Sequence, residues 1–123
     1  MSLKSSSLAA ALVVVATLPL WAHHSHGNYN MNEFTTLKGT VKEMHWLTPH
    51  SWIYLEVKDE KGEAALWALE GAGAQQLLRR GWTRESIKTG DAISVRCHQL
   101  MDKSTGCLLG YVTTRTEHDK LFD

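Results

Sequence analysis

Five segments in which apolar and polar residues alternate, interrupted once by a helical pattern, constrain the fold of this chain more than any other feature. Alternation with a period of two is typical of half-buried β-strands. It predicts strands over residues 35–46, 52–57, 64–70, 92–100 and 108–116. Between the third and fourth segments, residues 71–80 have the period of a short helix, and Gly81 fits the position that ends it.

The order of three strands, a helix and two strands is that of a small OB-like barrel, β-β-β-α-β-β, with an open β-sandwich or a roll as the alternative. We therefore predict a mainly β fold, a five-stranded barrel with one short helix. Alternation predicts four residues on one face of the first strand: Leu37, Gly39, Val41 and Glu43. The predicted helix has an apolar stripe of three residues: Ala74, Leu77 and Leu78.

Residues 1–22 precede this domain and have the layout of a cleavable export signal. Lys4 makes a positive start, residues 8–20 form an almost unbroken apolar run of thirteen residues, and Ala22 is the small residue before the expected cut. The run is shorter than the about 20 residues of a membrane span, so we predict no stable membrane insertion after cleavage. An uncleaved anchor or a buried N-terminal helix is the alternative. Cleavage predicts a periplasmic or secreted protein.

Cleavage after Ala22 would leave 101 of the 123 residues, enough for one compact domain. We predict a His/Asn-rich arm at residues 23–34, the barrel domain at 35–116 and a frayed tail at 117–123. The mature chain would carry 12 Lys and Arg against 13 Asp and Glu. This balance lacks the basic excess that phosphate contacts require, so we predict no nucleic-acid partner.

The only two cysteines, Cys97 and Cys107, lie on either side of a loop-like segment at residues 101–106. In an oxidising compartment, a disulfide across a hairpin is the expected state of such a pair. Two separately buried thiols are the alternative. Neither cysteine belongs to a C-x-x-C pair, which disfavours thiol redox chemistry.

Three of the seven histidines, His23, His24 and His26, come directly after the expected cut. A chain that begins at His23 offers an α-amine and an imidazole nitrogen, which together close a chelate ring on a transition-metal ion. Such nitrogen ligands suit Cu(II), with zinc as the alternative. His24, as the second mature residue, gives another copper chelate with the amine. Adventitious binding, like that of an affinity tag, is the alternative to a biological site.

A third nitrogen from the body of the domain would complete such a metal site. His50 is the best candidate because the turn at Pro49 places it at a strand start near the barrel rim. A hydrogen-bonded turn residue is the alternative role for His50. Glu70, at the end of the third strand, is a candidate ligand or a partner that fixes an imidazole ring. His45 and Trp46 end the first strand, with His45 expected to be half-buried.

The predicted ligand face therefore has four members: His45, Trp46, Trp52 and Glu70. Because Trp52 and Tyr54 share one strand face, either the sheet is covered on both sides or it presents an aromatic platform for a small ligand. The other two histidines have less specific interpretations. His98 is expected to be solvated, and His118 to lie in the polar tail.

Several short motifs in a fixed order resemble a family of small exported bacterial proteins that is defined only as a domain of unknown function. They lie at residues 22–26 (AHHSH), 46–54 (WLTPHSWIY), 67–71 (WALEG), 80–83 (RGWT) and 90–91 (GD). The resemblance spans nearly the whole mature chain. It implies export and a small β-domain, and it brings no established activity. In the family pattern an Asn usually precedes the Pro-His pair, whereas Thr48 occupies that position here, so no amide at that position orients His50 in this chain.

The sequence supports three functional hypotheses. The first is an exported metal-binding protein, for copper first and zinc second, in which the mature terminus and His50 hold the ion. The second is a non-catalytic OB-like module that binds a small ligand or a partner protein and no physiological metal. The third is a copper-dependent oxidoreductase. We do not expect an enzyme, because the sequence has no Gly-rich phosphate loop, nucleophile elbow or His-Glu-x-x-His helix.

Overall fold

The computed structural model describes residues 26–123, with His26 described by its backbone alone. The elements in chain order are a 3-10 turn at His26–Asn28, β1 (Thr35–His45), β2 (Trp52–Lys58), β3 (Ala64–Glu70), α1 (Ala74–Arg79), β4 (Ala92–Gln99), β5 (Gly106–Thr113) and β6 (Lys120–Leu121). The predicted export signal at residues 1–22 and its cleavage site lie outside the described residues. Within the described part, no helical segment has the length and apolarity needed to cross a membrane.

Six strands form one sheet in the order β3-β2-β1-β4-β5-β6. Neighbours in this order are antiparallel. β3 also pairs in parallel with β5, from Ala68↔Gly106 to Glu70↔Leu108, and this pairing closes the first five strands into a barrel. β1 belongs to both halves, since its first part pairs with β4 and its second part with β2. The predicted five-stranded OB-like barrel with one short helix is confirmed.

Alternate residues of most strand segments fill the barrel interior, and register shifts interrupt the alternation in the β1–β2 and β4–β5 ladders. The shift in β1 is the one that changes a predicted face. The register shifts between Val41 and Glu43, where the β1–β2 ladder has a bulge or irregularity. Such a shift moves the following side chains to the other face of the sheet. Glu43, predicted on the same face as Val41, is therefore exposed, and Met44 packs against the core instead.

α1 is shorter than predicted, and it buries one residue of the expected stripe. Leu77 is fully buried, whereas Leu78 is 54% exposed. Gly81 follows the helix with a φ of 83°, the left-handed conformation that glycine adopts at low cost. The segment after the helix places Trp82 in the core, where its side chain is fully buried.

The tail, predicted to be frayed, is part of the fold. Lys120 and Leu121 pair with β5 as β6. Phe122 is fully buried, and its ring packs edge to face on Trp82 with 5.0 Å between the ring centroids. A two-residue strand is too short for a periodic pattern to show, so the alternation in the sequence did not reveal it.

The end of β4 and the start of β5 are joined by a disulfide between Cys97 and Cys107. Both cysteines are fully buried. The bond therefore fixes the base of the loop that connects these two strands.

Candidate functional site

His50 is held at the rim of the barrel by the loop between β1 and β2. The next residue, Ser51, is fully buried and makes two backbone hydrogen bonds to the segment after β3. The Ser51 N–H donates to the Ala72 carbonyl at 3.1 Å, and the Gly71 N–H donates to the Ser51 carbonyl at 2.9 Å. These bonds fix the loop against the end of β3, where Glu70 lies.

Three polar side chains meet at this rim: Tyr29, His50 and Glu70, called the rim cluster below. The Tyr29 hydroxyl donates to Glu70 Oε2 at 2.7 Å. His50 Nδ1 lies 3.5 Å from Glu70 Oε1 and 3.3 Å from the Gly71 carbonyl oxygen. Both oxygens are acceptors, so Nδ1 carries the hydrogen and Nε2 keeps the lone pair in the neutral ring. Metal-binding histidines use this arrangement, in which an acceptor holds the N–H of the nitrogen that does not coordinate.

The rim cluster is largely buried. Tyr29 is 9% exposed and Glu70 is 8% exposed. Burial, together with the hydrogen bond to Glu70 and its negative charge, raises the pKa of Tyr29 well above its usual value near 10. The phenol therefore stays protonated at neutral pH and keeps donating. Because a buried carboxylate needs hydrogen-bond partners, this contact also stabilises Glu70 in its place.

The arm, of which residues 26–34 are described, is tied to the loop end of the β4–β5 hairpin. Tyr29 forms an isolated antiparallel bridge with Leu100. Two backbone hydrogen bonds flank this bridge: Asn30 N–H to the Gln99 carbonyl at 2.8 Å and Met101 N–H to the Asn28 carbonyl at 2.9 Å. The arm therefore extends the sheet, and the side chain of Tyr29 reaches from the arm into the rim cluster.

Of the predicted metal ligands, the structure describes His50 and brings it together with Glu70. His23 and His24 lie outside the described residues, and the side chain of His26 is not described. Among the side chains that are described, no group of three or more His, Cys, Asp and Glu is placed to hold a metal ion. A metal site at His50 would therefore need donors from the segment that precedes residue 27.

The other members of the predicted ligand face have side-chain contacts outside the rim cluster, and His45 pairs with Trp52 in the β1–β2 ladder. His45 Nε2 lies 2.8 Å from Glu43 Oε2, and its ring packs on Tyr54 with 5.0 Å between centroids. The Arg84 guanidinium lies 5.9 Å from the centroid of the Trp46 ring. Trp52 is half-buried and is paired with Glu70 in the β2–β3 ladder. Trp52 is thus the one of these three whose backbone lies opposite a member of the rim cluster.

His98, which the sequence predicted to be solvated, instead helps to hold the arm. Its ring stacks on Phe34 with 4.3 Å between centroids, and its Nδ1 donates to the Glu33 carbonyl at 2.7 Å. The prediction was wrong because the outer face of β4 is covered by a segment without a periodic pattern. Tyr29 was missed for the same reason, although it is the one aromatic residue between the expected cut and Phe34.

A family model described as "Family of unknown function (DUF6152)" matches residues 10–109, a range that contains all three members of the rim cluster and both cysteines. The chain belongs to this family. The predicted resemblance to a domain of unknown function is thereby confirmed. A comparison with curated proteins finds no match.

Among solved structures, the mitochondrial single-stranded DNA binding protein Rim1 of S. cerevisiae is similar to this chain. The two are 10% identical, the likeness covers 70% of this chain and 99% of that chain, and the TM-score is 0.49. A likeness at this level carries no argument about what this chain binds.

Proposed function

We propose that this is an exported, periplasmic metal-binding protein that holds a copper ion between its mature N-terminus and His50. The observation that carries the proposal is the buried hydrogen bond of 2.7 Å from Tyr29 to Glu70, which docks the arm beside His50. Cleavage after Ala22 is part of the proposal, because it creates the α-amine on His23.

The anchor at Tyr29 limits how far the mature terminus lies from His50. His23 precedes Tyr29 by six residues, a span of at most about 20 Å in an extended chain. The Tyr29 hydroxyl and His50 Nδ1 lie against the two oxygens of one carboxylate, that of Glu70. This shared contact supports a mature terminus within reach of the His50 imidazole.

The proposed ligands are three nitrogens: the α-amine and one ring nitrogen of His23, and Nε2 of His50. Three nitrogens in a T-shaped arrangement suit Cu(II), and the same donors accept zinc as the second choice. Glu70 faces Nδ1 of His50, where a carboxylate orients the ring and raises the basicity of the coordinating nitrogen. His24 and His26 are the local alternatives to His23.

The test is a Cu(II) titration of untagged protein purified from the periplasm, after intact-mass measurement of its first residue. We expect a chain that begins at His23, binds one copper ion with submicromolar affinity and has nitrogen couplings in its paramagnetic resonance spectrum. His23→Ala and His50→Ala are each expected to weaken binding by at least about tenfold. The matched control is His118→Ala, a change at an exposed histidine of the tail, which leaves the affinity unchanged.

Two outcomes would overturn the proposal. One is a secreted form with an intact leader or a different first residue. The other is an affinity of micromolar or weaker that does not respond to the changes at His23 and His50 together. Either outcome favours an OB-like module for a small ligand or a partner protein, which the half-buried Trp52 and Tyr54 on the outer sheet face would suit. Turnover of an oxidisable substrate by the copper-loaded form is the result that would indicate a copper-dependent oxidoreductase.

A further inference from the structure

A groove of about 660 Å³ crosses the outside of the barrel at the end of β2 that lies far from the rim cluster. It opens where β1 leaves β2 and continues along β4, since Thr40 is the β1 residue that pairs with both strands. Gly39 permits the close approach of β1 to β2 beside the groove, because a Cβ at that position would clash with the carbonyl oxygen of Glu56. The volume is within the range of about 300–1,000 Å³ that small-molecule pockets have.

The strand registers align hydrogen-bond donors across this groove. Lys38 pairs with Ser94 on β4, and Ser94 pairs with Thr113 on β5. β2 ends at Lys58, two residues past its last pair with β1, Thr40↔Glu56, and Lys58 lines the same groove. The lining therefore includes four donors: Lys58, Lys38, Ser94 and Thr113.

A second row lies two residues further along the strands. Thr40 stands between Glu56 on β2 and Ala92 on β4. Arg115, two residues past the end of β5, also lines the groove. These residues add a hydroxyl and a guanidinium to the groove. Glu56 is the one carboxylate among the lining residues.

The three cations of the groove have no acidic partner within residues 26–123. Lys38, Lys58 and Arg115 take part in none of the ion pairs or side-chain hydrogen bonds of this described part, whereas Glu56 Oε2 lies 3.7 Å from Lys42 Nζ. Like charges on neighbouring strands repel each other when no anion lies between them. The lining thus has a net charge of about +2 in a chain whose formal charge is zero.

We propose that this groove binds a small ligand that carries phosphate or sulfate groups. The ammonium groups of Lys38 and Lys58 neutralise the oxyanion, and the guanidinium of Arg115 can donate to it through two N–H groups. The Thr113 hydroxyl oxygen accepts the Asp119 N–H at 2.9 Å, and its own O–H remains to donate. The ligand is small because the rest of the chain is net negative and offers no extended basic track for a nucleic acid.

The test uses inorganic pyrophosphate as the probe, with calorimetry and amide chemical shifts recorded on metal-free protein at low ionic strength. We expect saturable 1:1 binding, with the largest shifts at Lys38, Ser94 and Thr113. The double variant Lys38→Gln/Lys58→Gln is expected to lose at least about tenfold in affinity, because it removes two charge-assisted contacts.

The matched control is Lys61→Gln/Arg79→Gln, which removes two exposed cations outside the groove and is expected to change the affinity by less than about twofold. His50→Ala is expected to retain pyrophosphate binding, because the groove and the rim cluster share no residue. This variant separates the groove from the proposed metal site.

Three results would overturn the proposal: no saturation at millimolar pyrophosphate, an equal loss in the control pair, or loss of binding in His50→Ala. Tighter binding of a single-stranded oligonucleotide than of pyrophosphate, lost in Lys38→Gln/Lys58→Gln, would also overturn it, since the groove would then be part of a nucleic-acid surface.

Discussion

The arm and the tail both lie outside the five-stranded barrel, and each buries one aromatic side chain that is held by a different kind of contact. Tyr29 anchors the arm through its hydroxyl, which donates to the buried Glu70. Phe122 anchors the tail through packing, with its ring fully buried against Trp82. Apolar burial is large and non-directional, whereas a hydrogen bond is directional and modest in net free energy. The tail therefore contributes mainly stability, and the arm mainly position.

Phe122 also connects two parts of the barrel through its backbone. Its N–H donates to the Gly110 carbonyl of β5 at 2.9 Å, and its carbonyl accepts the Ala72 N–H at 3.0 Å. A Cβ at Gly71 would lie 2.6 Å from the Phe122 ring, so glycine at that position leaves the space that the ring occupies. The arm has no comparable apolar anchor, because Phe34 is 44% exposed.

Removal of the apolar anchor, Phe122, is expected to have the largest effect on the free energy of unfolding. Phe122→Ala leaves a cavity beside Trp82, and we expect the free energy of unfolding to fall by about 3–5 kcal/mol. Urea denaturation followed by tryptophan fluorescence measures the loss. The comparison variant Phe34→Ala removes a ring of the arm that is 44% exposed and stacks on His98, and it is expected to cost no more than about 2 kcal/mol. Equal losses in the two variants would contradict the distinction between the anchors.

Reduction of the disulfide is expected to have the second-largest effect on the free energy of unfolding. Loss of the bond between Cys97 and Cys107 should lower the free energy of unfolding by about 2–3 kcal/mol in the chain-entropy model. Since the bond closes the hairpin end to which the arm is tied, hydrogen exchange should speed up more at the Met101 amide than at the Phe122 amide. The control is the variant Cys97→Ala/Cys107→Ala. It has no bond between these positions to reduce, so addition of a reductant should change neither exchange rate. Equal acceleration at both amides would show that the arm does not depend on this loop more than the tail does.

The polar anchor is expected to have a smaller effect. Tyr29→Phe removes the donor to a buried carboxylate, and we expect a loss of about 1–2 kcal/mol in the free energy of unfolding. The matched control is Tyr111→Phe, because the Tyr111 hydroxyl has no hydrogen-bond partner among residues 26–123, and this change should cost less than about 0.5 kcal/mol. A loss as large as that of Phe122→Ala would show that the arm is also a stability element.

Alkaline pH is expected to weaken the arm selectively, with the smallest effect. The pKa of Tyr29 is raised in the folded protein, so its contribution is fully present below the unfolded pKa of about 10 and falls as pH rises above that value. The decline approaches about 1.4 kcal/mol per pH unit once the unfolded phenol is ionised and while the folded phenol remains protonated. The difference in unfolding free energy between the wild type and Tyr29→Phe should therefore shrink from pH 10 to pH 11. A constant difference over this interval would contradict the raised pKa.

Part of the rim cluster was predictable from sequence. His50 follows a proline turn and Glu70 ends a strand, so both positions were expected at the same rim. Tyr29 was not predictable, because its contact with Glu70 spans 41 positions and no local pattern marks it. The cations of the groove were equally hidden, since Lys38, Lys58 and Arg115 are separated in the sequence and line one groove only in the folded chain.

The sequence by itself determined the number of strands in the barrel, their order around one short helix and the buried face of most of them. Each of these follows from the period of apolar residues within a few positions of the chain. The tertiary structure alone decided the register shift after Val41, the docking of Phe122 and the meeting of Tyr29 with Glu70. These features depend on the fit between side chains far apart in the sequence, and a local period carries no information about such a fit.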